Sequence, residues 1–142
     1  MNDDAGMNQN KGGRQFGADE YPLQELTNAV IAAAIYVHRK LGPGYLEQIY
    51  ENALVIELES RGRVVERQKS FDVYYKGFLV GQHRLDLLVD DQVVLELKSV
   101  EALAAIHVAQ LRSILKASGK RIGLLMNFNQ PTLAKGLKRV IL

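Results

Sequence analysis

The sequence contains no cysteine, which excludes a disulfide framework, a thiol nucleophile and a thiolate metal site. A chain without cysteine fits a reducing compartment, and we expect a cytoplasmic protein. No run of about 18 apolar residues is present, so no membrane span is expected. The first residues, MNDDAGMNQNKGG, carry two acids and no apolar core, and we do not expect them to act as a secretory signal.

Acidic residues are also absent from residue 112 onwards, although the whole chain has a formal net charge of only +2. The cations of this segment are Arg112, Lys116, Lys120, Arg121, Lys135, Lys138 and Arg139. The simplest interpretation is a solvated basic face. The alternative is contact with the phosphates of a nucleic acid, shared with Arg61, Arg63, Arg67 and Lys69.

The helical part of the pattern begins after a polar, glycine-rich stretch. The length of 142 residues suits one core; residues 1–20 predict a disordered tail and residues 21–142 a single domain. Pro22 suits a first helical turn. An apolar stripe of helical spacing follows it, formed by Leu23, Leu26, Val30, Ala33, Val37 and Leu41. Gly42-Pro43-Gly44 breaks this helix, and a second helix is predicted from Tyr45 to Arg61 with Gly62 as its stop.

Short alternating segments then predict strands. They are Val64–Gln68, Phe71–Tyr75, Phe78–Val89 and Gln92–Val100, with turns at Lys76-Gly77 and Asp90-Asp91. Leu103–Ser118 predicts a third helix ended by Gly119, and Arg121–Asn127 predicts a strand buried on both faces. Leu133–Leu142 fits either a short helix or a final strand. This order of elements predicts an α/β or α+β fold, a central mixed sheet flanked by helices.

Two acidic residues are predicted to face one another across neighbouring strands. Side chains alternate along a strand, so Glu96 and Lys98 share one face with Val94, while Val93, Leu95 and Leu97 share the other. In the strand before, Leu85, Leu87 and Val89 are expected on one face and Asp86 with Leu88 on the other. A three-residue loop, Asp90–Gln92, would pair Val89 with Val93 and place Asp86 opposite Glu96, with their Cβ atoms roughly 4.5–5.5 Å apart. A two-residue loop would place the two acids on opposite faces.

Like charges that lie opposite each other destabilise a sheet unless a cation lies between them. Hard cations such as Mg²⁺ bind one or two carboxylates and fill the other positions with water and phosphate. Lys98 would lie beside such a cation, where a lysine can orient an attacking water and offset charge on a phosphate. The competing interpretation is a solvent-exposed sheet face with a weak ion pair between Asp86 and Lys98.

The wider sequence resembles the GxxExxY protein family, a branch of the PD-(D/E)XK nuclease superfamily. The segment Gly44–Leu54 (GYLEQIYENAL) carries the signature itself. Further segments resemble the family in the same order: FDVYYKG from Phe71, RLDLLV from Arg84, ELK from Glu96, HVAQL from His107 and GLLMNF from Gly123. The similarity extends from about Leu26 to Leu142. Leu85 stands where the proline of the superfamily motif would be.

The resemblance implies a PD-(D/E)XK (restriction-endonuclease-like) core and site roles for five residues. Asp86 and Glu96 match the metal ligands, for Mg²⁺ or Mn²⁺, and Lys98 matches the catalytic lysine. Glu47 matches an acid that binds the metal or its water, and Gln110 matches a glutamine that supports catalysis. From the residues alone, Glu47 could equally be a charge at a helix start, and His107 and Gln110 could satisfy sheet-edge groups. Tyr50 is expected to be a core aromatic whose hydroxyl finds a partner, with Glu47 or a strand carbonyl as candidates.

Two functions follow from different classes. The first is a Mg²⁺-dependent nuclease that hydrolyses DNA phosphodiester bonds, with RNA as the alternative substrate. The second is a catalytically inactive module of the same fold that binds nucleic acid or a protein partner. No element for direct base readout is evident. A symmetric homodimer is the default expectation for a chain of this size.

Overall fold

The computed structural model of the chain describes residues 23–142. The tail predicted over residues 1–20 and the helix start predicted at Pro22 lie outside the described residues. The three predicted helices are present as α1 (Gln24–Leu41), α2 (Glu47–Ser60) and α3 (Ala105–Ser118). Gly119 ends α3 in the left-handed conformation, at φ 72°, which glycine adopts without steric cost. None of the described helices is both long and apolar enough to cross a membrane.

The strands form a mixed sheet with an accessory hairpin. Their bounds are β1 (Val65–Arg67), β2 (Ser70–Tyr75), β3 (Phe78–Arg84), β4 (Leu87–Val89), β5 (Val93–Lys98), β6 (Ile122–Asn127) and β7 (Leu137–Ile141). The main sheet has the order β1-β4-β5-β6-β7, and only β5 and β6 run parallel. Strands β2 and β3 pair with each other outside it. The architecture confirms the predicted mixed sheet flanked by helices.

Helices cover both faces of the main sheet, and the side chains of β5 separate as the alternation predicts. Val93, Leu95 and Leu97 enter a core cluster with buried residues of α1 and α2. Val94 enters a second cluster with Leu111 and other residues of α3. The parallel β5–α3–β6 crossover explains why all six residues of β6 are buried, since a central strand with helices on both faces has no solvent side.

One predicted strand is broken. The sequence predicts a continuous strand from Phe78 to Val89, but β3 and β4 belong to different sheets, and the break falls at Leu85 and Asp86. The Leu85 N–H donates to the Lys69 carbonyl at 2.9 Å, and the Gln68 N–H donates to the Asp86 carbonyl at 2.8 Å. The β1–β2 connection therefore replaces the expected ladder, and Leu85 packs with Leu88 and α3 instead of on the face of Leu87 and Val89.

The last segment combines the two structures that the sequence left open. A short 3₁₀ helix, Leu133–Gly136, leads directly into β7. The 3₁₀ turn packs against β6, and β7 pairs antiparallel with β6. A short helix followed by an edge strand gives the helical and the alternating pattern in the same ten residues.

Candidate active site

A cleft of about 330 Å³ opens on the α3 side of the main sheet, between β5, α3 and the base of the β2–β3 hairpin. Its lining residues are Gln68, His83, Arg84, Asp86, Glu96, Lys98, His107, Gln110 and Ile114. Four of the five residues singled out from the sequence thus meet in one cleft: Asp86, Glu96, Lys98 and Gln110. The fifth, Glu47, lies exposed in the first turn of α2 and does not line it.

The loop Asp90–Gln92 sets the register that brings the two acids together. The pairs Val89↔Val93, Leu88↔Val94 and Leu87↔Leu95 are those of the three-residue loop. One step further, the Asp86 N–H donates to Glu96 Oε1 at 3.3 Å, and the Leu97 N–H donates to Asp86 Oδ2 at 2.9 Å. Each carboxylate therefore has one oxygen held by the backbone of the neighbouring strand, which fixes both groups side by side.

This arrangement is electrostatically unfavourable when both groups are ionised. Glu96 is only 8% exposed. Burial raises the pKa of Glu96 to about 9, repulsion from Asp86 adds to the increase, and Lys98 opposes it. A buried acid beside a second acid is stabilised by a proton or by a cation, so binding of either should stabilise the pair.

The donor set fits a hard divalent ion. No group of three or more His, Asp or Glu side chains with metal-binding geometry occurs within residues 23–142. Mg²⁺ and Mn²⁺ do not need one, because they accept one or two carboxylates and complete their shells with water and phosphate oxygens. Asp86 and Glu96 would supply these carboxylates.

Lys98 lines the cleft beside the two acids and lies half-buried at the end of β5, two residues beyond Glu96 on the same face. Its ammonium forms no ion pair with any carboxylate of residues 23–142. The strand is held firmly just after it. Ser99 Oγ donates to the Tyr45 carbonyl at 2.6 Å, and the carboxamide of the fully buried Asn127 binds the Val100 N–H and carbonyl at 3.0 and 2.9 Å. The chain thus holds the lysine backbone in place and leaves the charge free for a ligand.

The helix α3 supplies the opposite wall. His107 is partly explained as a structural residue, because its Nδ1 accepts the Ala104 N–H at 2.9 Å at the start of the helix. The side chain of Gln110 is exposed to the cleft and forms no hydrogen bond with the protein over residues 23–142. At the hairpin base, His83 Nε2 lies 3.4 Å from Ser113 Oγ. Gln110 is therefore free to bind a water or a ligand.

Tyr50 has a structural partner. Tyr50 is fully buried, and its hydroxyl donates to the Gly42 carbonyl at 2.6 Å rather than to Glu47 or a strand carbonyl.

The cations of residues 61–69, predicted as possible phosphate contacts, are paired with acids: Arg61 with Glu57, Arg63 with Asp90, Arg67 with Glu51 and Lys69 with Glu66. These four cations therefore form ion pairs within the domain.

Sequence reasoning missed Glu51, which is the buried acid of α2. It is 5% exposed, one helical turn after Glu47. Its carboxylate accepts hydrogen bonds from Arg67 Nη2 at 3.0 Å and from Gln68 Nε2 at 2.8 Å. Gln68 lines the cleft, and its backbone is in the left-handed conformation, at φ 51°. Glu51 therefore holds the wall of the cleft from behind. The available signal was weak: an acid on the apolar stripe of α2 with an arginine in the next strand.

Replacing Glu51 by alanine is expected to destabilise the domain. The change removes the buried acceptor of Arg67 and Gln68, and loss of one member of a buried pair costs about 3–5 kcal/mol, less here because Arg67 stays partly in water. We expect a loss of about 2 kcal/mol in the free energy of unfolding by urea. The control is Glu59→Ala, an exposed acid of the same helix. Equal stability of the two variants would contradict the assignment.

Comparisons with known proteins agree with this architecture. A family model of the PD-(D/E)XK nuclease superfamily matches residues 24–140. The fold is similar to that of a solved structure titled "Crystal structure of SSO0001", with a TM-score of 0.53 and 18% sequence identity, over 90% of this chain and 60% of that one. The chain thus spans about 60% of the length of that protein, and the likeness concerns the fold alone. A search of curated proteins gives no significant match.

The GxxExxY branch remains a prediction, since the matching model describes the superfamily. That model covers almost every described residue, from the first turn of α1 to the last strand of the sheet. Within this span the Asp, Glu and Lys of the motif meet in one cleft. The chain therefore belongs to the PD-(D/E)XK nuclease superfamily.

Proposed function

We propose that the domain is a divalent-metal-dependent nuclease that hydrolyses DNA phosphodiester bonds. The observation that carries this proposal is the juxtaposition of Asp86, Glu96 and Lys98 in one cleft, where Lys98 forms no ion pair with any other residue of the range 23–142. Phosphodiester hydrolysis needs a cation at the phosphate, a positioned water and neutralisation of the developing charge. These three residues can meet all three needs.

Asp86 and Glu96 would hold Mg²⁺ or Mn²⁺, which when bound supplies Lewis-acid activation of the phosphodiester. Their backbone hydrogen bonds already orient the carboxylates, so little reorganisation accompanies binding. Lys98 orients the attacking water through its ammonium and offsets charge on the phosphate oxygens. Gln110, whose carboxamide has no partner in the described part of the chain, supports that water from α3.

The role that the family resemblance assigns to Glu47 stays a separate prediction. Glu47 lies outside the lining of the cleft, whereas Glu51 reaches the cleft wall through Gln68. Glu47→Gln tests it directly. If Glu47 is a metal ligand, the substitution should lower the activity at limiting Mg²⁺, and high Mg²⁺ should restore it. If Glu47 is only a charge at a helix start, the substitution should leave the activity unchanged.

The proposal is tested by incubating the full chain with supercoiled plasmid, single-stranded DNA and RNA, in Mg²⁺, Mn²⁺ or EDTA. Lys98→Ala and Glu96→Ala are compared with Lys40→Ala, which removes a lysine from α1 on the other side of the sheet. We expect metal-dependent nicking that falls on the order of 100-fold or more in the two cleft variants and is retained in the control. Equal activity in all variants would place the reaction elsewhere. Binding of DNA without cleavage would favour the non-catalytic module.

A further inference from the structure

The β2–β3 hairpin forms an arm, defined here as Ser70–Arg84, whose two ends differ in chemistry. At its root, Phe71 packs against the core cluster of α3. At its tip, five large apolar side chains are 58–73% exposed: Tyr74, Tyr75, Phe78, Leu79 and Val80. A lone two-stranded ribbon gains little stability from such exposed groups, and a contiguous exposed apolar patch indicates a binding surface.

The tip presents rings on both faces of the ribbon. Tyr75 pairs with Phe78 across the turn, and Tyr74 pairs with Leu79. Neighbouring residues of a strand point to opposite faces, so each face carries at least one aromatic ring. The turn Lys76-Gly77 has positive φ at both positions, 50° and 81°, which gives the tight two-residue connection that keeps these pairs together.

The arm is continuous with the cleft and carries positive charge. Its root contributes His83 and Arg84 to the cleft lining. Within Ser70–Arg84 the sequence has two cations, Lys76 and Arg84, and one acid, Asp72, and the Lys76 ammonium lies 5.5 Å from the centre of the Tyr75 ring. A polyanion that enters the cleft therefore meets cations and rings when it follows the arm outwards.

We propose that the tip of the arm binds unpaired bases of the nucleic acid whose backbone enters the cleft, through stacking on Tyr74, Tyr75 and Phe78. The proposal rests on the proposed nuclease function and narrows its substrate class to single strands or to duplexes with single-stranded ends. Aromatic rings stack on the faces of bases, and a base offers its face only when it is not stacked within a duplex. From Arg84 to Phe78 the ribbon extends about 20 Å at ~3.3 Å per residue. The single strand must therefore continue past the reacting phosphate.

Binding is measured in EDTA by fluorescence anisotropy, so that no cleavage interferes. The ligands are a labelled single-stranded DNA and a blunt duplex of the same sequence. For the double variant Tyr75→Ser/Phe78→Ser we expect affinity for the single strand to fall about 10- to 100-fold and affinity for the duplex to change less than about 3-fold. The matched control is Tyr36→Ser, an exposed tyrosine of α1 on the other side of the sheet. Circular dichroism checks that each variant is folded.

Tyrosine fluorescence gives a second readout, because the sequence has six tyrosines and no tryptophan. Stacking on the single strand is expected to quench the emission, and Tyr75→Phe is expected to keep the affinity since it keeps the ring. Equal weakening for both ligands, or no weakening, overturns the proposal. A change in sedimentation without a change in affinity would instead identify the tip as an interface between two copies of the chain. If the unaltered chain cleaves DNA but does not stack on the single strand, only this inference is refuted. If it stacks on the single strand but does not cleave DNA, only the proposed nuclease function is refuted.

Discussion

Glu96→Gln is expected to melt at a higher temperature than the unaltered chain in EDTA, and at the same time to lose the proposed nuclease activity. Glu96 is buried, and its pKa is raised to about 9 by burial and by Asp86, so its ionised form opposes folding when no cation is bound. Glutamine keeps the size and removes the charge. We expect a gain of about 1 kcal/mol or more, or about 3–6 °C in Tm, with activity lower by on the order of 100-fold or more.

The metal dependence separates this effect from ordinary stabilisation. Addition of Mg²⁺ is expected to raise the Tm of the unaltered chain, because a ligand that binds only the folded state stabilises it. Glu96→Gln should show little of this increase. The control, Glu101→Gln, changes an exposed glutamate and should behave like the unaltered chain. If Glu96→Gln melted lower in EDTA, or kept the full Mg²⁺ response, the two carboxylates would not form the metal site.

Gly136→Ala is expected to be among the most destabilising single substitutions in the domain. A Cβ atom at this position would lie 2.2 Å from the carbonyl oxygen of Asn127 and 3.0 Å from the Asn127 Cβ. The backbone there cannot easily move, since the Asn127 side chain holds Val100. Clashes in well-packed regions cost about 1–3 kcal/mol and occasionally more. We expect about 3 kcal/mol or more in urea unfolding and a Tm lower by about 10 °C.

Gly81→Ala is the matched control, because a Cβ at Gly81 meets no atom within 4 Å and its backbone is extended. That variant should unfold within about 0.5 kcal/mol of the unaltered chain. Similar unfolding midpoints for both variants would mean that the 3₁₀ turn shifts freely, and that the close approach to β6 does not hold the last strand. The comparison also bears on the site, since Asn127 ties down the chain just after Lys98.

Much of the fold and of the cleft follows from local patterns. Period-two alternation assigns Glu96 and Lys98 to the face opposite Leu95, and the inferred length of the Asp90–Gln92 loop then sets Asp86 against Glu96. The core clusters confirm the alternation, and the β4–β5 register confirms the loop length. The break at Leu85 could not be read in this way, because both halves have strand character. The cause is a tertiary one: the Lys69 carbonyl and the Gln68 N–H bind the backbone of Leu85 and Asp86.

The acids of α2 show a similar limit. Glu47 and Glu51 differ by four positions, so they lie on nearly the same face of a helix and periodicity does not separate them. Their environments do, because Glu51 meets Arg67 and Gln68 from a strand connection distant in sequence, whereas Glu47 remains in solvent. Single-sequence patterns report which side of an element faces inwards. They do not report which distant segment will meet it.

The loop Asp90–Gln92 has an uneven tolerance to changes in length. Asp91 is 70% exposed and pairs only with the Lys120 ammonium at 3.2 Å among the described residues, whereas Asp90 accepts hydrogen bonds from Arg63 and the Val64 N–H. Extra residues here can bulge into solvent and leave the ladder unchanged. Deletion of one residue cannot be absorbed in that way, because β5 would slide by a single step and its polar and apolar sides would exchange places. An insertion at this exposed hairpin end should therefore be tolerated, whereas deletion of a single residue should not.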